Sequence, residues 1–364
     1  RDVAYEHTEF TSGKEIRQAA SNAGISLQYP YESTFFRFAD YRTDEVNKLS
    51  GTPSAKKIHI SHSGSYRSEL AYGSRSKTYS LSMYDPSKKA YGDTIDELTG
   101  KQLTFDNVVV CFANIAAYAG DSHDVQEVQY VQGGQAYLFT HGGVQTGRWE
   151  KPHPTHPLKL YTDSGEEMTL NPARPTSLWW TMMSGAASTI SKGSHACNRK
   201  ETRMKRIGTA LRAAVSLGLC AALLAGCSFL PSDPAPEQPV PTDPLTGQEQ
   251  LWPGQRPVAV SIENASDSTT QWGLSTASVV LEARTELQGS TRLCLVYPSV
   301  NAVPQVGPVA AGEDLYWRLL VGQQVIPVQR GGGQFDQNYL DYYSLRPVDA
   351  LEAGRNAFSC DDVW

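Results

Sequence analysis

A chain of 364 residues with 40% hydrophobic content has the material for buried cores, and its length sets an expectation of two domains. The net charge of −6 is spread along the sequence with no basic block outside 199–212, so the cationic patch that nucleic-acid binding needs to displace phosphate counterions is missing. Six cysteines form neither a zinc pattern nor a redox pair, and Cys111 and Cys294 sit in apolar runs where a thiol behaves as a small hydrophobe, so free thiols are favoured over a structural disulfide.

Near the start, Ser12 and Glu15 have capping-box spacing, and Ile16, Ala19, Ala20 and Ala23 follow at helical intervals up to Gly24, a left-handed stop. A strand is predicted at Ile25–Tyr29. Between 56 and 183 the signal is β. Lys57–His62, Thr78–Tyr84, Asn107–Asn114 and Asp124–Gln132 alternate or run apolar, and Gly133-Gly134 predicts a hairpin between the last of these and Gln135–Thr140. Gly142-Gly143, Asp163-Ser164-Gly165 and Asn171-Pro172 supply further turns. His59 and His62 are three apart in one strand and face opposite sides, so they cannot share a metal. His153 and His156 are separated by prolines that hold the segment extended and the imidazoles poorly matched. No metal site and no cofactor motif is expected.

Residues 184–203 show no periodicity. Arg199-Lys200-Glu201, just upstream of Met204, is what a purine-rich ribosome-binding sequence would encode if translated, so this segment reads as intergenic DNA carried through in frame. Met204–Cys227 places Lys205, Arg206 and Arg212 ahead of an apolar run from Ala213 to Leu224 and a small-residue exit. A run of about a dozen residues is too short for a membrane-spanning helix, which needs roughly 20, and the layout is that of a secretory signal. Its Leu-Ala-Gly-Cys exit resembles the lipobox of bacterial lipoproteins, which implies lipid on Cys227. Residues 228–250 are proline-rich and read as a tether.

In the second half, Arg256–Ile262, Ser278–Ala283, Arg292–Tyr297 and Gln324–Gln329 read as strands, and Glu313–Leu320 and Pro347–Ala353 as short helices. Arg330-Gly331-Gly332-Gly333 lacks the spacing of a phosphate-binding loop and reads as a flexible turn. The fold class expected is α+β, in two mixed, sheet-rich layered domains, with the 56–183 half mostly antiparallel β.

Two sets of segments resemble the YerB-like lipoprotein family, whose function is unknown. Residues 256–264, 272–283, 290–299 and 303–309 resemble its N-terminal domain, and residues 103–114, 133–151 and 157–179 its C-terminal domain. The family runs signal, tether, N-terminal domain, C-terminal domain; here the C-terminal domain comes first. Joining Trp364 to Arg1 restores the family order, so the domains expected are 251–364 with 1–30, and 56–183. The rival explanation is a fusion of two neighbouring gene fragments. The resemblance implies a layered, sheet-rich fold and no activity. Where the family continues with arginines after Gly-Pro-Val, this chain has Ala310-Ala311-Gly312, which removes bidentate anion recognition there.

Candidate ligand-binding residues are Glu263, Asn264, Glu282, Arg292, Gln305 and Arg330. Glu263 and Asn264 follow one strand and Glu282 ends the next, so carboxylates with different environments could divide acid and base roles at a sheet edge. The plain alternative is that Glu263 and Asn264 cap a strand end while Glu282 is solvated or pairs with Arg284 or Arg292. For the rejoined order, the function expected is a lipid-anchored binding or assembly protein at the outer face of the bacterial cytoplasmic membrane, its partners a membrane and a cell-envelope protein or cell-wall component; for the chain as numbered no location is assigned. The competing expectation is a cell-wall hydrolase or transferase using Glu263 and Glu282.

Overall fold

Strands rich in Val, Ile, Leu and Trp that are buried on both faces pair best inside a broad sheet, and the apolar runs of both halves of this chain do so together. The computed structural model describes residues 9–29, 36–43, 46–122, 125–173, 178–184, 189–192, 195–196, 242–264, 271–285, 291–354 and 358–360. The signal-like stretch 204–227 with Cys227, and most of the proline-rich tether, lie outside the described residues.

The main sheet has ten strands: β1 (Asn107–Ala113), β2 (Gly134–Thr140), β3 (Gly143–Glu150), β4 (Lys159–Thr162), β5 (Leu178–Ser184), β6 (Val258–Ile262), β7 (Val279–Arg284), β8 (Thr291–Tyr297), β9 (Ile326–Gln329) and β10 (Val348–Asp349). Their order across the sheet is β4-β3-β2-β1-β5-β7-β8-β6-β9-β10. The first four form an antiparallel meander. β5 then pairs in parallel with β1 on one side and with β7 on the other, so one sheet runs through both halves of the sequence. The chain is a sheet-rich α+β protein.

One face of this sheet packs on a second sheet, formed by strands that include Lys57–Ser61, Arg67–Tyr72 and Tyr79–Asp85, and on helix α1 (Gly13–Asn22). Val260, Val280, Leu293 and Leu295 line that core. The opposite face, lined by Val279, Leu281, Cys294 and Val296, is covered by helices α2 (Asp314–Leu320) and α3 (Gln334–Tyr342). Cys111 and Cys294 are buried free thiols on this second side. Glu9–Phe10 pairs antiparallel with Ser359–Cys360, and α1 lies so close to 300–303 that a Cβ at Gly13 would come within 2.1 Å of the Val300 carbonyl oxygen.

Several local expectations are corrected. The hairpin turn is His141-Gly142, not Gly133-Gly134: β2 and β3 close at Thr140 and Gly143, and both loop residues have positive φ (50° and 77°), as a type I′ turn requires. Residues 130–132 form a 3₁₀ turn, and Gln126–Val128 pairs with Ile115–Ala117. Ser12 is the N-cap of α1, but its side chain makes no capping hydrogen bond, and Ala23 is exposed. Ile25–Tyr29 contributes a single bridge, Gln28 to Gln255, in place of a strand. Pro347 precedes the strand residues Val348–Asp349, so the last helix, α4 (Ala350–Ala353), is shorter than expected. Within the segment expected to be irregular, Thr189–Lys192 pairs with Lys57–Ser61.

A buried carboxylate ties the halves together beside the strand seam. Asp96, fully buried, accepts from the amides of Leu98 and Gly273 through Oδ1 (3.0 Å each) and from the Ser275 amide (2.9 Å) and hydroxyl through Oδ2. Replacing Asp96 by Ala strands those amides without acceptors and is expected to cost about 3 kcal/mol, read as a fall in the urea midpoint. A loss under about 1 kcal/mol would show that water takes the carboxylate's place.

Candidate functional site

All the parallel strands of the main sheet direct their carboxyl ends to one edge, the place where open sheets of this kind leave a crevice. Glu263 and Asn264 follow β6 there, Glu282 lies near the end of β7, Arg292 near the start of antiparallel β8, and Arg330 follows β9. Five of the six candidates therefore meet at one edge. Gln305 does not: it precedes Val306 and Gly307, which bridge to Thr11 and Trp272.

Strand alternation divides the five between the two faces. Glu282 alternates with Val280 and faces the second sheet, at 1% exposure. Thr291 Oγ1 donates to its Oε1 at 3.1 Å, and His62 Nε2 lies 3.2 Å from Oε2 and 2.9 Å from Thr181 Oγ1. Asn264 Nδ2 donates to Thr291 Oγ1 at 2.7 Å, and Gln271 Nε2 donates to Asn264 Oδ1 at 3.1 Å. These hydrogen bonds are largely buried, and the His62–Glu282 contact, which leaves Oε2 without a hydrogen-bond partner, is where they meet across the two halves of the sequence. Glu282 pairs with neither Arg284 nor Arg292. His59 points to the other side of its strand and meets Glu69.

Arg292 alternates with Cys294 and faces the helices. Its guanidinium holds Glu313 at Nη1 and lies 3.8 Å from Glu263 at Nε, while Tyr316 donates to the Arg292 carbonyl at 2.6 Å. Burial pushes the Glu313 carboxyl up to about 7, against the pull of Arg292 and with added repulsion from Asp314 and Asp336. Asp336 is likewise pushed up to about 6 by burial, although Trp317 Nε1 (2.5 Å) and Gln329 Nε2 (3.1 Å) donate to it. Beside them Asp314 accepts from Tyr118 Oη and from Arg318 Nε at 2.5 Å.

The glycine loop after β9 is an ordered structure bound to the chain's own carboxylates. Gly331 N donates to Asp349 Oδ1 at 2.9 Å, Arg330 pairs with Glu9 at 3.1 Å, and Gly333 caps α3. At Gly332 a Cβ would lie 2.0 Å from Asp336 Oδ2, so only glycine lets the loop cross this carboxylate. Sequence reasoning missed Glu313, Asp314 and Asp336. The adjacent acids Glu313-Asp314 were visible as a helix start, but nothing local marked Asp336, whose helix was not predicted.

At the amino end of β7 lies a cavity of about 490 Å³. Its wall includes Trp252, Leu251, Pro298 and Ala302, with Thr246, Gln248, Glu249, Thr276, Ser278 and Asn301 as polar points. Asp243 also lines it; burial raises its carboxyl above the usual range, while it caps the amides of Leu245 (2.9 Å) and Thr246 (3.0 Å).

The native protein holds the Glu313 proton more tightly than an unfolded chain does. Stability from this group is therefore fully present below pH about 4.5 and lost as pH rises through about 7. The expected outcome for Glu313→Gln is a urea midpoint that gains on the parent between pH 5 and pH 8, because the variant has no proton to lose. Parallel midpoint curves for the two proteins would remove Glu313 as the titrating group.

Two family profiles match the chain. One, described as "Protein of unknown function (DUF3048) N-terminal domain", matches residues 245–362, and the other, described as the C-terminal domain of the same family, matches residues 57–174. Among solved structures, the YerB protein from Bacillus subtilis is similar at 18% identity and a TM-score of 0.35, over 49% of this chain and 53% of its own. The match thus spans about half the length of that protein. No curated protein matches the chain.

Proposed function

Since the chain belongs to the DUF3048 family, with the C-terminal domain placed ahead of the N-terminal domain, we propose that it is a lipid-anchored binding or assembly protein of the bacterial envelope. The observation that carries the binding reading is the preformed cavity of about 490 Å³ beside Trp252. A concave site walled by apolar side chains with a few polar groups is the usual form of a ligand site. The anchor reading rests on sequence: Cys227 follows a signal-like stretch and precedes a proline-rich tether that runs into the folded residues at Thr242. Two acyl chains on Cys227 would hold the protein at the membrane stably, where a single chain binds marginally.

The hydrolase reading with Glu263 and Glu282 as the acid and base loses support from their placement on opposite faces and from the burial of Glu282. A different pair keeps a hydrolase reading open: Glu313, with its carboxyl at about 7, shares Arg292 with Glu263. A carboxylic acid held protonated near neutral pH beside a second carboxyl group is what such chemistry requires.

Sedimentation with isolated cell-wall sacculi separates the two readings. A binding protein is expected to co-sediment, with Trp252→Ala weakening retention about tenfold, and to release no soluble fragments. Fragment release that Glu313→Gln abolishes would establish the hydrolase in its place. Anchoring has its own measurement. In bacteria fed labelled palmitate, label is expected in the protein and absent from Cys227→Ser; equal labelling of the two would sink the lipid anchor.

A further inference from the structure

Lys151, directly after β3, is a buried ammonium with no counter-ion. It is 1% exposed, and its Nζ donates to the carbonyl oxygens of Pro154 (2.7 Å) and His156. Two acceptors for three N–H bonds leave one donor over. Among the described residues no carboxylate pairs with it, and burial alone lowers its pKa to about 8. A charge taken out of water without an opposite partner is costly, so a fold that keeps one there has a use for it.

Lys151 lines a cavity of about 90 Å³ under α2 and α3, with Tyr130, Arg318, Tyr339 and Tyr343 among the other walls. Tyr130 is 4% exposed, and its hydroxyl is buried without any hydrogen-bond partner. A phenol so placed is an unused donor. Arg318 is already balanced by Asp314 (2.5 Å) and Glu127 (3.6 Å), so it adds shape and little net charge. The uncompensated charge is that of Lys151. The cavity's walls present Lys151, Tyr130 and Arg318 as donors.

We propose that this cavity binds a small oxyanion of the phosphate or sulfate class, with the Lys151 ammonium as its counter-charge and the Tyr130 hydroxyl as a donor. The ligand supplies the missing negative charge and the missing acceptor at once. The source of such a group is either a free inorganic ion or the phosphoryl end of a larger molecule.

Isothermal titration of the full chain at constant ionic strength tests the proposal, with sodium phosphate and sodium sulfate as probes and chloride as the background salt. One saturable site is expected for phosphate or sulfate. Tyr130→Phe, which keeps the ring, is expected to weaken it about fivefold to tenfold, and Lys151→Met to abolish it. Should Lys151→Met fail to fold, Tyr130→Phe decides alone. Glycerol 3-phosphate separates the sources: competition at the same site assigns the phosphoryl end of a larger molecule, and its absence assigns the free ion. No saturable binding to the parent, or an unchanged dissociation constant in Tyr130→Phe, would overturn the assignment.

Discussion

The structure depends on one strand. β5 accepts a parallel partner on each side, β1 from its own half of the sequence and β7 from the other, and every one of its seven residues is buried. Trp179 and Trp180 point to opposite faces: the first packs edge-on against Phe105 at 5.4 Å in the core under the second sheet, the second against Phe36 at 5.0 Å in the core under the helices. Aromatic rings of this size dominate the cores that they enter, so a single dipeptide pins both layers to the seam. The same pairing sets Thr181 opposite Glu282 and thereby brings His62 to the carboxylate.

From that seam the distribution of polar groups follows. Because neighbouring residues of a strand face opposite ways, the carboxyl edge of the sheet holds two sets of acids that share no space. The set facing the second sheet is a largely buried group of hydrogen bonds in which Glu282 accepts from Thr291 at Oε1, while its Oε2, 3.2 Å from His62 Nε2, has no hydrogen-bond partner. The set facing the helices is crowded with carboxylates, Glu313, Asp314 and Asp336 against Arg292 and Arg318, and burial there raises two of the three toward neutrality. One set joins the two halves. The other has the electrostatics of a site.

The order of the chain and the order of the fold differ. Residues 9–29 come first in sequence but pack with 252–364: Phe10 is the register partner of Ser359, Thr11 bridges to Val306, and Arg256 donates to the Ser26 carbonyl at 2.9 Å. The family profiles tell the same story at larger scale, with the C-terminal domain at 57–174 and the N-terminal domain at 245–362. Strand pairing is indifferent to the direction in which a connection is made, provided the partners can meet. A permuted sequence can therefore satisfy the same contacts.

By itself the sequence determined six of the ten main-sheet strands (β1, β2, β6, β7, β8 and β9), the helix at 314–320 and the family resemblance, because long apolar runs and their spacing are properties of neighbouring residues; it did not mark β3, β4, β10 or the seam strand β5. It also placed Glu263, Asn264 and Glu282 at one edge through their positions at strand ends, while the strand directions of the fold added Arg292 and Arg330. Tertiary structure decided what depends on distant partners. Helix α3 has a mostly polar sequence and forms around Asp336, whose bonds come from Trp317 and Gln329. The separation of Glu263 from Glu282 depends on register, which no single strand encodes. Lys151 is charged and looks solvated in sequence; only the folding of residues 154–156 over it makes it a buried cation, because burial belongs to the surroundings of a residue and not to its type.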